Sequence, residues 1–235
     1  MEKLKLSIAI ATYNSAITLR ESIDSVLMQN YTNLELIIVD GGSKDGTLSI
    51  IKDYSIKNPQ IKWISEPDRG VYDAMNKALK IATGDYLLFL GSDDHLISNE
   101  VLSGVIAKMD DYNSVYYGDV YRNARNDLYK GEFNTIKIAC ENICHQSIFY
   151  PQSVYKKNDY DLNFPIYADY IYNLRLWNKV RYKYIPICVS YYNCSGISGK
   201  GSDDEKYSKP FFKEVRKNLG FSYYLIKRLY KIFRK

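Results

Sequence analysis

No stretch of this chain is apolar for long enough to cross a membrane. A spanning helix needs about 20 consecutive apolar residues, and the run LSIAIATY at residues 6–13 gives way to polar residues well before that length. The small-residue cleavage site of a signal peptide does not follow it either. These two absences predict an intracellular protein, in which the four cysteines are expected as free thiols.

Two glycine-rich nucleotide-binding fingerprints are also absent. The segment GGSKDG at residues 41–46 is neither G-x-G-x-x-G nor G-x-x-x-x-G-K-[ST], so hydride transfer with a dinucleotide and ATP hydrolysis at a P-loop lose support. Imidazole is scarce, with only two histidines in the chain. The spacing Cys140-x3-Cys144-His145 differs from the C-x-x-C of zinc sites, and a structural zinc is therefore not expected.

Charge is distributed unevenly along the 235 residues, of which 46% are hydrophobic and 25% are charged. That length and composition predict one globular domain with a substantial core. Residues 206–235 carry ten lysines and arginines and one acid, a net charge of +9, whereas the rest of the chain carries −4. A mildly acidic body therefore precedes a strongly basic carboxyl-terminal tail.

Strand-like and helix-like segments alternate along the first ninety residues. Apolar runs predict strands at residues 6–11, 34–40, 61–65 and 86–90, and helical spacing of apolar residues predicts helices at 16–29 and 71–82. Because parallel strands need crossover connections, this alternation predicts an α/β fold with a mostly parallel central sheet flanked by helices. After residue 96 the pattern changes, and it predicts helices at about 98–109 and 168–178 and strands at about 115–121, 147–150 and 181–190.

Polar and acidic side chains follow each of the first four predicted strands. In parallel sheets, ligands bind at the carboxyl ends of the strands, so these side chains are expected to line one edge of the sheet. They are Thr12, Tyr13 and Asn14 after the first strand, Asp40 after the second, Glu66, Asp68 and Arg69 after the third, and Asp93 and Asp94 after the fourth.

Asp93 and Asp94 follow the apolar run LLFL with only Gly91 and Ser92 between. Two adjacent carboxylates repel each other at the end of a buried strand. A divalent cation shared with phosphate oxygens would offset that repulsion. The alternative is a pair of acids that point into water or cap the next helix, but the acidic ends of the neighbouring strands favour the metal site.

Asp40, in the segment VDGGSKDG, also has two interpretations. It could close a local turn, since Asp and Gly are common in turns for reasons of backbone geometry. It could instead accept a hydrogen bond from a base N–H, with Gly41 and Gly42 letting the backbone approach the ligand.

Taken in order, several segments resemble family 2 glycosyltransferases, which are inverting enzymes of the GT-A fold with a Rossmann-like nucleotide-binding half and an acceptor-binding half. The resemblance runs over nearly residues 5 to 200. The segments are IAIATYNSAITLRESIDSVLMQNYTNLELIIVDGGSKDGT, EPDRGVYDAMNKALKIATGDYLLFLGSDD, HQSIFY and ADYIYNLRLW.

The resemblance implies a role for most of the residues at the strand ends. Thr12 and Tyr13, with Asn14 beside them, would bind the nucleoside, Asp40 would accept from the base, and Arg69 would lie near the nucleotide. Asp93 would contact the ribose and a metal, Mn²⁺ or Mg²⁺, with Asp94 next to it. Two positions depart from the family pattern: Ala11 stands where Pro is usual, and Gly91 stands where the first Asp of the Asp-x-Asp motif is often found. The sequence therefore leaves open which of Asp93 and Asp94 binds the metal.

The resemblance also implies a catalytic base and an acceptor region. Inverting transfer needs a group that removes the proton of the acceptor hydroxyl as its oxygen attacks the anomeric carbon. Asp169 matches the base position of the family, at the start of a predicted helix where a carboxylate is stabilised. Its alternative role is helix stabilisation alone. His145 and Gln146 would lie near the acceptor.

Two segments near the carboxyl terminus have open interpretations. The segment NCSGISGKGSDDE, residues 193–205, is either a flexible linker or a loop that folds over the diphosphate. The tail FSYYLIKRLYKIFRK forms a basic amphipathic helix on a helical wheel. Such a helix either lies on an anionic membrane surface or packs its apolar stripe on the body. Nucleic acid is not an expected partner.

These observations predict a metal-dependent inverting glycosyltransferase that moves a sugar from a nucleotide-diphosphate sugar, expected to be a UDP-sugar, to a glycan or lipid-linked glycan. The expected location is the cytoplasm, with peripheral binding to the inner face of the cytoplasmic membrane. Residues 1–95 would form the donor half, 96–200 the acceptor half and 201–235 the tail. The alternatives are a sugar nucleotidyltransferase, which would need a basic Gly-rich loop after the first strand, and a non-catalytic glycan-binding or scaffold subunit.

Overall fold

The computed structural model describes residues 4–193 and 205–233, which form nine strands and nine α-helices. The strands are β1 Leu6–Thr12, β2 Leu34–Asp40, β3 Ile61–Ser65, β4 Tyr86–Gly91, β5 His95–Leu96, β6 Val115–Arg122, β7 Asp127–Tyr129, β8 Ile148–Pro151 and β9 Tyr182–Tyr192. The helices are α1 Leu19–Leu27, α2 Thr47–Lys57, α3 Val71–Ile81, α4 Val101–Ile106, α5 Thr135–Cys140, α6 Gln152–Tyr155, α7 Ala168–Leu176, α8 Glu205–Leu219 and α9 Phe221–Phe233.

The strands form one sheet in the order β3-β2-β1-β4-β8-β6-β9-β5, with β7 paired to β6. The strands β3, β2, β1 and β4 are parallel, as their alternation with helices predicts. The second half is mixed, because β8 runs antiparallel to both β4 and β6 whereas β9 runs parallel to β6. The predicted α/β fold is confirmed, and its parallel part is the half that the first ninety residues build.

The central strands are buried on both faces, which explains their continuous apolar runs. Along β1, Ala9 points to a core beneath α3, α7 and α8, whereas Ile8 and Ile10 point to a second core beneath α1, α2 and α4. The two packed faces hold the strands in register, so their carboxyl ends stop at the same level. Thr12 pairs with Asp40, and Asp40 pairs with Ser65.

The two carboxyl-terminal helices pack on the body of the protein. Helix α8 buries Phe211 and Val215 in the core beneath α7. Helix α9 contacts both α5 and α8. At the end of α5, the Lys227 ammonium donates to the Cys140 carbonyl at 2.6 Å, and the Tyr230 hydroxyl donates to Glu141 at 2.5 Å.

The apolar residues that define the amphipathic stripe of α9 lie on its other side. They are between 44% and 83% exposed, so this helix does not pack its apolar stripe on the body. They are Phe221, Leu225, Leu229, Ile232 and Phe233, together called the α9 stripe below. Within the described residues, no helix has the length and apolar character needed to span a membrane.

Candidate active site

The carboxyl ends of β1, β2 and β4 are tied to one another by side chains of their loops. Asn14 has a left-handed backbone conformation, with φ 49°. Its N–H donates to the Ser43 hydroxyl at 2.8 Å, and its side-chain oxygen accepts from the Lys44 N–H at 2.9 Å. The hydroxyls of Ser15 and Ser92 lie 2.8 Å apart and join the β1 and β4 loops. Asn14 therefore fixes the shape of the cleft, and its predicted nucleotide contact stays a prediction.

A narrow slot lies beside Gly41 at the end of β2. A Cβ on Gly41 would lie 3.3 Å from the Tyr13 ring and 2.5 Å from an oxygen of Asp68, so a side chain at this position would require the Asp68 carboxylate to move. The Tyr13 ring is 61% exposed. An exposed aromatic ring beside bare backbone is a surface on which a flat base can stack.

Thr12 presents a buried hydroxyl with no hydrogen-bond partner among the residues that the structure describes. The residue is 4% exposed. Leaving such a group unpaired costs about 1–3 kcal/mol, and the end of β1 is therefore a place where a ligand or water that offers a hydrogen bond gains affinity.

Asp40 closes the turn that follows β2. Its fully buried carboxylate accepts from the Ser65 hydroxyl at 2.6 Å, from the N–H groups of Gly42 and Ser43 at 3.2 and 3.1 Å, and from the Ser43 hydroxyl. This is the local role that Asp-Gly turns predict. A base N–H would have to share this carboxylate with four protein donors, and the base contact stays a prediction.

Arg69 lies at the start of α3, outside these contacts. Its side chain is 76% exposed and pairs with Asp73 at 3.4 Å. The structure does not bring it into contact with the other predicted site residues.

The two adjacent acids that follow β4 differ sharply in their surroundings. Asp94 is 2% exposed. Its carboxylate accepts from Gln146 Nε2 at 2.9 Å, from the Asn193 N–H at 2.8 Å and from the Gly91 N–H at 3.1 Å. Burial raises the pKa of Asp94 even though Gln146 and Asn193 oppose the rise. Asp94 therefore joins the β4 loop to the segments on either side of it.

Gly91 makes room for this arrangement. A side chain at position 91 would collide with the carboxylate of Asp94 and would lie 3.0 Å from an oxygen of Asp93. The departure from the family pattern at Gly91 thus has a structural reason: the carboxylate of Asp94 folds back over this glycine.

Asp93, by contrast, is half-buried and accepts no hydrogen bond from another residue within the described parts of the chain. Burial raises its pKa, and the nearby His145 opposes that rise. A desolvated carboxylate without a partner is a favourable ligand for a hard cation, and Mg²⁺ or Mn²⁺ commonly takes one or two carboxylates together with phosphate oxygens and water. In the described residues no three His, Cys, Asp or Glu side chains come together as a complete metal site. This donor set would fit a metal whose remaining ligands came from the substrate and water, and the predicted metal-binding role of Asp93 stays a prediction.

Asp169 lies at the start of α7 and is held by four donors from three segments of the chain. Its Oδ1 accepts from the Tyr72 hydroxyl and the Tyr170 N–H, each at 2.8 Å. Its Oδ2 accepts from Asn142 Nδ2 at 2.9 Å and lies 3.3 Å from His145 Nδ1. Burial and the charge of Asp169 raise the pKa of Tyr72 well above its usual value, so its hydroxyl stays protonated and donates.

A buried polar network supports this carboxylate from behind. Asn173 Nδ2 donates to the side-chain oxygen of Asn142 at 3.0 Å. The hydroxyls of Tyr150 and Tyr182 donate to Asn173 Oδ1 at 2.8 and 3.1 Å. Each member fixes the amide orientation of the next, so Asn142 reaches Asp169 with its NH₂ group.

Two predicted site residues, His145 and Gln146, lie in a 3-10 turn before β8, over residues His145–Ser147. Gln146 contacts Asp94 and His145 contacts Asp169, so this turn lies between the two acidic groups. The structure thus brings together Asp93, Asp94, His145, Gln146 and Asp169. Tyr72, Asn142 and Asn173 complete the cluster, and sequence reasoning did not assign them to the site: Tyr72 and Asn173 lie in segments that carry the family resemblance, but no residue pattern singles them out. The segment predicted as a lid, apart from its ends, lies outside the described residues.

Comparison with known proteins gives a consistent result. A sequence model of "Glycosyl transferase family 2" matches residues 7–185. A "PGL/p-HBAD biosynthesis glycosyltransferase" of Mycobacterium tuberculosis is 33% identical over 233 residues, which cover 96% of this chain and 91% of the relative.

A second relative and a solved structure extend the comparison. The Escherichia coli "UDP-Glc:alpha-D-GlcNAc-diphosphoundecaprenol beta-1,3-glucosyltransferase WfgD" is 34% identical over 134 residues, covering 57% of this chain and 52% of WfgD. The mannosyltransferase PcManGT of Pyrobaculum calidifontis, solved with GDP-Man and Mn²⁺, superposes with a TM-score of 0.69 over 97% of this chain and 74% of its own, at 15% identity. At this low identity, the match to PcManGT shows only that the two proteins share a fold.

Proposed function

The chain belongs to glycosyl transferase family 2 and is a glycosyltransferase, and from that premise we propose a finer function. The protein transfers a sugar, with inversion, from a UDP-sugar to a hydroxyl of a glycan or lipid-linked glycan. The observation that carries this proposal is the contrast between Asp93 and Asp94. The carboxylate of Asp94 accepts three hydrogen bonds, whereas that of Asp93 accepts none from another of the residues that the structure describes.

On this proposal the nucleoside lies over the carboxyl ends of β1 and β2. The base stacks on Tyr13 beside Gly41, and Thr12 supplies its unpaired hydroxyl. Asp40 accepts from the base by sharing its turn contacts, while Asn14 holds the β1 loop against the β2 loop. The exposed side chain of Arg69 turns from its pair with Asp73 toward the nucleotide.

Asp93 holds the divalent metal, either Mn²⁺ or Mg²⁺. When bound, the metal supplies positive charge that stabilises the departing diphosphate. The Mn²⁺ of PcManGT supports a divalent cation in this fold. Asp94 has a structural role, because its hydrogen bonds with Gln146 and Asn193 fix the loop that carries Asp93.

Removal of the acceptor proton takes place in the cluster around Asp169. The sequence resemblance names Asp169 as the base, and its four hydrogen-bond donors fix the position of its carboxylate. Residues 1–95 then supply the donor half and residues 96–200 the acceptor half, with the 3-10 turn at His145 between them.

Turnover of nucleotide sugars tests this function. With Mn²⁺ or Mg²⁺, the purified chain should release UDP from at least one member of a panel that includes UDP-glucose and UDP-N-acetylglucosamine, with water or an added glycan as acceptor. Thermal shifts with UDP and GDP, with and without metal, identify the base. A chain that neither binds nucleotide nor turns over any donor contradicts the proposed function.

The carboxyl-terminal tail supports a location of the protein at the cytoplasmic face of a membrane. The α9 stripe is exposed while the opposite side of the helix is anchored to α5 by Lys227 and Tyr230. Arg228 is also exposed, and residues 206–235 carry a net charge of +9. A helix with this pattern binds an anionic bilayer by burying its apolar side at the headgroup boundary. The lipid-linked acceptor in the name of WfgD is consistent with such a location.

Flotation with lipid vesicles tests the membrane contact. The protein should float with vesicles that contain about one third phosphatidylserine and remain behind with phosphatidylcholine alone, because the attraction to anionic headgroups is about 1 kcal/mol per basic residue. The double variant L225E/L229E should lose at least tenfold in vesicle affinity, since it places two carboxylates in the stripe. The matched control is I56E, which changes an isoleucine that is 82% exposed on α2. Equal flotation of L225E/L229E and the parent contradicts the membrane contact.

A further inference from the structure

Asn142 orients one oxygen of the Asp169 carboxylate and is itself held by other segments. Its Nδ2 donates to Asp169 Oδ2 at 2.9 Å. Its side-chain oxygen accepts from Asn173 Nδ2 at 3.0 Å, and its backbone carbonyl accepts from the Tyr129 hydroxyl at 2.7 Å. These contacts fix the orientation of the amide. The place of Asn142 in the chain also depends on the residues that connect it to α5.

The two residues before Asn142 are each bonded to α9. Cys140 is the last residue of α5, and Glu141 follows it. Lys227 Nζ donates to the Cys140 carbonyl at 2.6 Å, and the Tyr230 hydroxyl donates to Glu141 Oε1 at 2.5 Å. The last carbonyls of a helix lack partners within the helix, and a cation there is stabilised by the helix dipole. Lys227 therefore caps α5, and Tyr230 holds the residue that leads to Asn142.

Lys227 also reaches the helix that carries Asp169. Its Nζ lies 5.3 Å from the centre of the Tyr170 ring. A cation over an aromatic ring is attracted more strongly when it is partly removed from water, and this lysine is half-buried. Tyr170 belongs to the first turn of α7, and its N–H donates to Asp169 Oδ1 at 2.8 Å. One ammonium group thus contacts both α5, which leads to Asn142, and the turn of α7 that holds Asp169.

The anchored side of α9 therefore joins the two elements whose relative position sets the contact between Asn142 and Asp169. Small displacements of such a contact are costly, because a shift of about 1 Å at a catalytic group can lower a rate about 100-fold. The α9 stripe lies on the other side of the helix and is exposed. The two sides of α9 are therefore suited to different tasks.

We propose that Lys227 and Tyr230 are positioning residues for the transfer reaction. From α9 they hold the end of α5 against the first turn of α7, so that Asn142 orients the carboxylate of Asp169. This inference rests on the proposed function, in which Asp169 removes the proton of the acceptor hydroxyl. It gives α9 a role in the acceptor half that is separate from the proposed membrane contact.

The double variant K227M/Y230F tests the role of the two side chains. Methionine keeps an apolar stem without the ammonium, and phenylalanine keeps the ring without the hydroxyl. The variant should lose at least about tenfold in kcat, because the contact between Asn142 and Asp169 is no longer held in place. Its UDP affinity should stay within about threefold of the parent, since the proposed nucleotide contacts lie at the ends of β1 and β2.

The rate is measured as UDP released from UDP-glucose or UDP-N-acetylglucosamine with Mn²⁺, with lipid left out so that membrane binding does not contribute. The matched control K213M/Y224F makes the same two chemical changes elsewhere in the tail. Lys213 is exposed on α8, and the Tyr224 hydroxyl accepts from Arg228 on α9 itself. This control should keep the parental rate.

Combination with N142A distinguishes positioning through Asn142 from a general loss of stability. N142A alone should lower kcat at least about tenfold. In the N142A chain, K227M/Y230F should lower kcat by no more than about threefold further, because effects that act through one contact do not multiply. The rates are compared well below the melting temperature of each variant. If the double variant does not fold, Y230F, which removes a single hydroxyl, takes its place in the same comparison.

The outcomes separate this inference from the proposed function. A variant of α9 with kcat within threefold of an active parent overturns the inference and leaves the proposed function in place. Parental kcat in N142A also overturns it, as does an equal loss from the α9 changes with and without N142A. A parent chain that releases no UDP from any donor overturns the proposed function, and this inference with it.

Discussion

Asp169→Asn will lower the rate of sugar transfer by about 10²–10⁴-fold and leave nucleotide affinity within about threefold of the parent. An asparagine at this position carries no charge, so it cannot accept the proton of the acceptor hydroxyl. Its NH₂ group would also face donors, because Tyr72 and the Tyr170 N–H approach one oxygen while Asn142 and His145 approach the other. The loss therefore appears in kcat rather than in donor binding.

Turnover of a UDP-sugar and calorimetric titration with UDP measure the two quantities separately. The matched control is Asp161→Asn, which makes the same chemical change where the carboxylate pairs with Arg175 at 2.9 Å, on the opposite side of α7 from the cluster. That variant should transfer sugar at the parental rate. Parental turnover by Asp169→Asn would show that the carboxylate has no part in the chemistry.

Asp93→Asn and Asp94→Asn will have opposite phenotypes. Asp93 accepts no hydrogen bond from another residue in the described parts of the chain, so its replacement should leave the free energy of unfolding within about 0.5 kcal/mol of the parent. It should abolish the gain in UDP affinity on addition of Mn²⁺ and lower turnover at least 100-fold, since the proposed metal loses its protein carboxylate.

Asp94→Asn should instead destabilise the protein by about 1–3 kcal/mol. Its carboxylate accepts from Gln146, Asn193 and the Gly91 N–H, and an amide can accept on only one of its two atoms. Urea unfolding and titration with UDP, with and without Mn²⁺, distinguish the two variants. If Asp94→Asn loses the Mn²⁺ effect at unchanged stability while Asp93→Asn keeps it, the metal ligand is Asp94.

Strand positions could be read from the sequence because the strands of the parallel half are buried on both faces. β2 and β3 have the predicted bounds, and β1 and β4 extend only one residue further. Helix α2 has no comparable signal, since only Ile50 and Ile51 of its apolar residues reach the core. Helix α1 begins at Leu19 rather than 16, because Ala16 is held in the loop by Asp45 at 3.0 Å.

The position of the candidate site could be predicted from the sequence. The different surroundings of its individual residues could not. Parallel strands in register place Thr12, Asp40 and Asp93 at one edge by geometry alone. The difference between Asp93 and Asp94 depends on Gln146 and Asn193, which lie 52 and 99 residues beyond Asp94 in the chain. The residues that neighbour Asp93 and Asp94 in sequence do not indicate that these distant donors will reach Asp94.

Contacts with residues far away in sequence also determine the surroundings of Asp169 and the packing of the tail. The donors of Asp169 include Tyr72, which is 97 residues away in sequence. In α9 the helical wheel identifies the apolar stripe correctly, but the residues that anchor the helix are Lys227 and Tyr230 on another side. A long amphipathic side chain can pack through its stem and place its polar end on a carbonyl, which amphipathicity alone does not predict.

The folded-back carboxylate over Gly91 has a consequence for how this family diverges. Position 91 and position 94 share one volume, so a chain that gains a side chain at 91 must move or lose the acid at 94 and find another acceptor for the Asn193 N–H. Residues 91, 94 and 146 are therefore expected to covary among homologues. One group of homologues should combine glycine at 91 with an acid at 94, and another should combine a side chain at 91 with a different residue at 94.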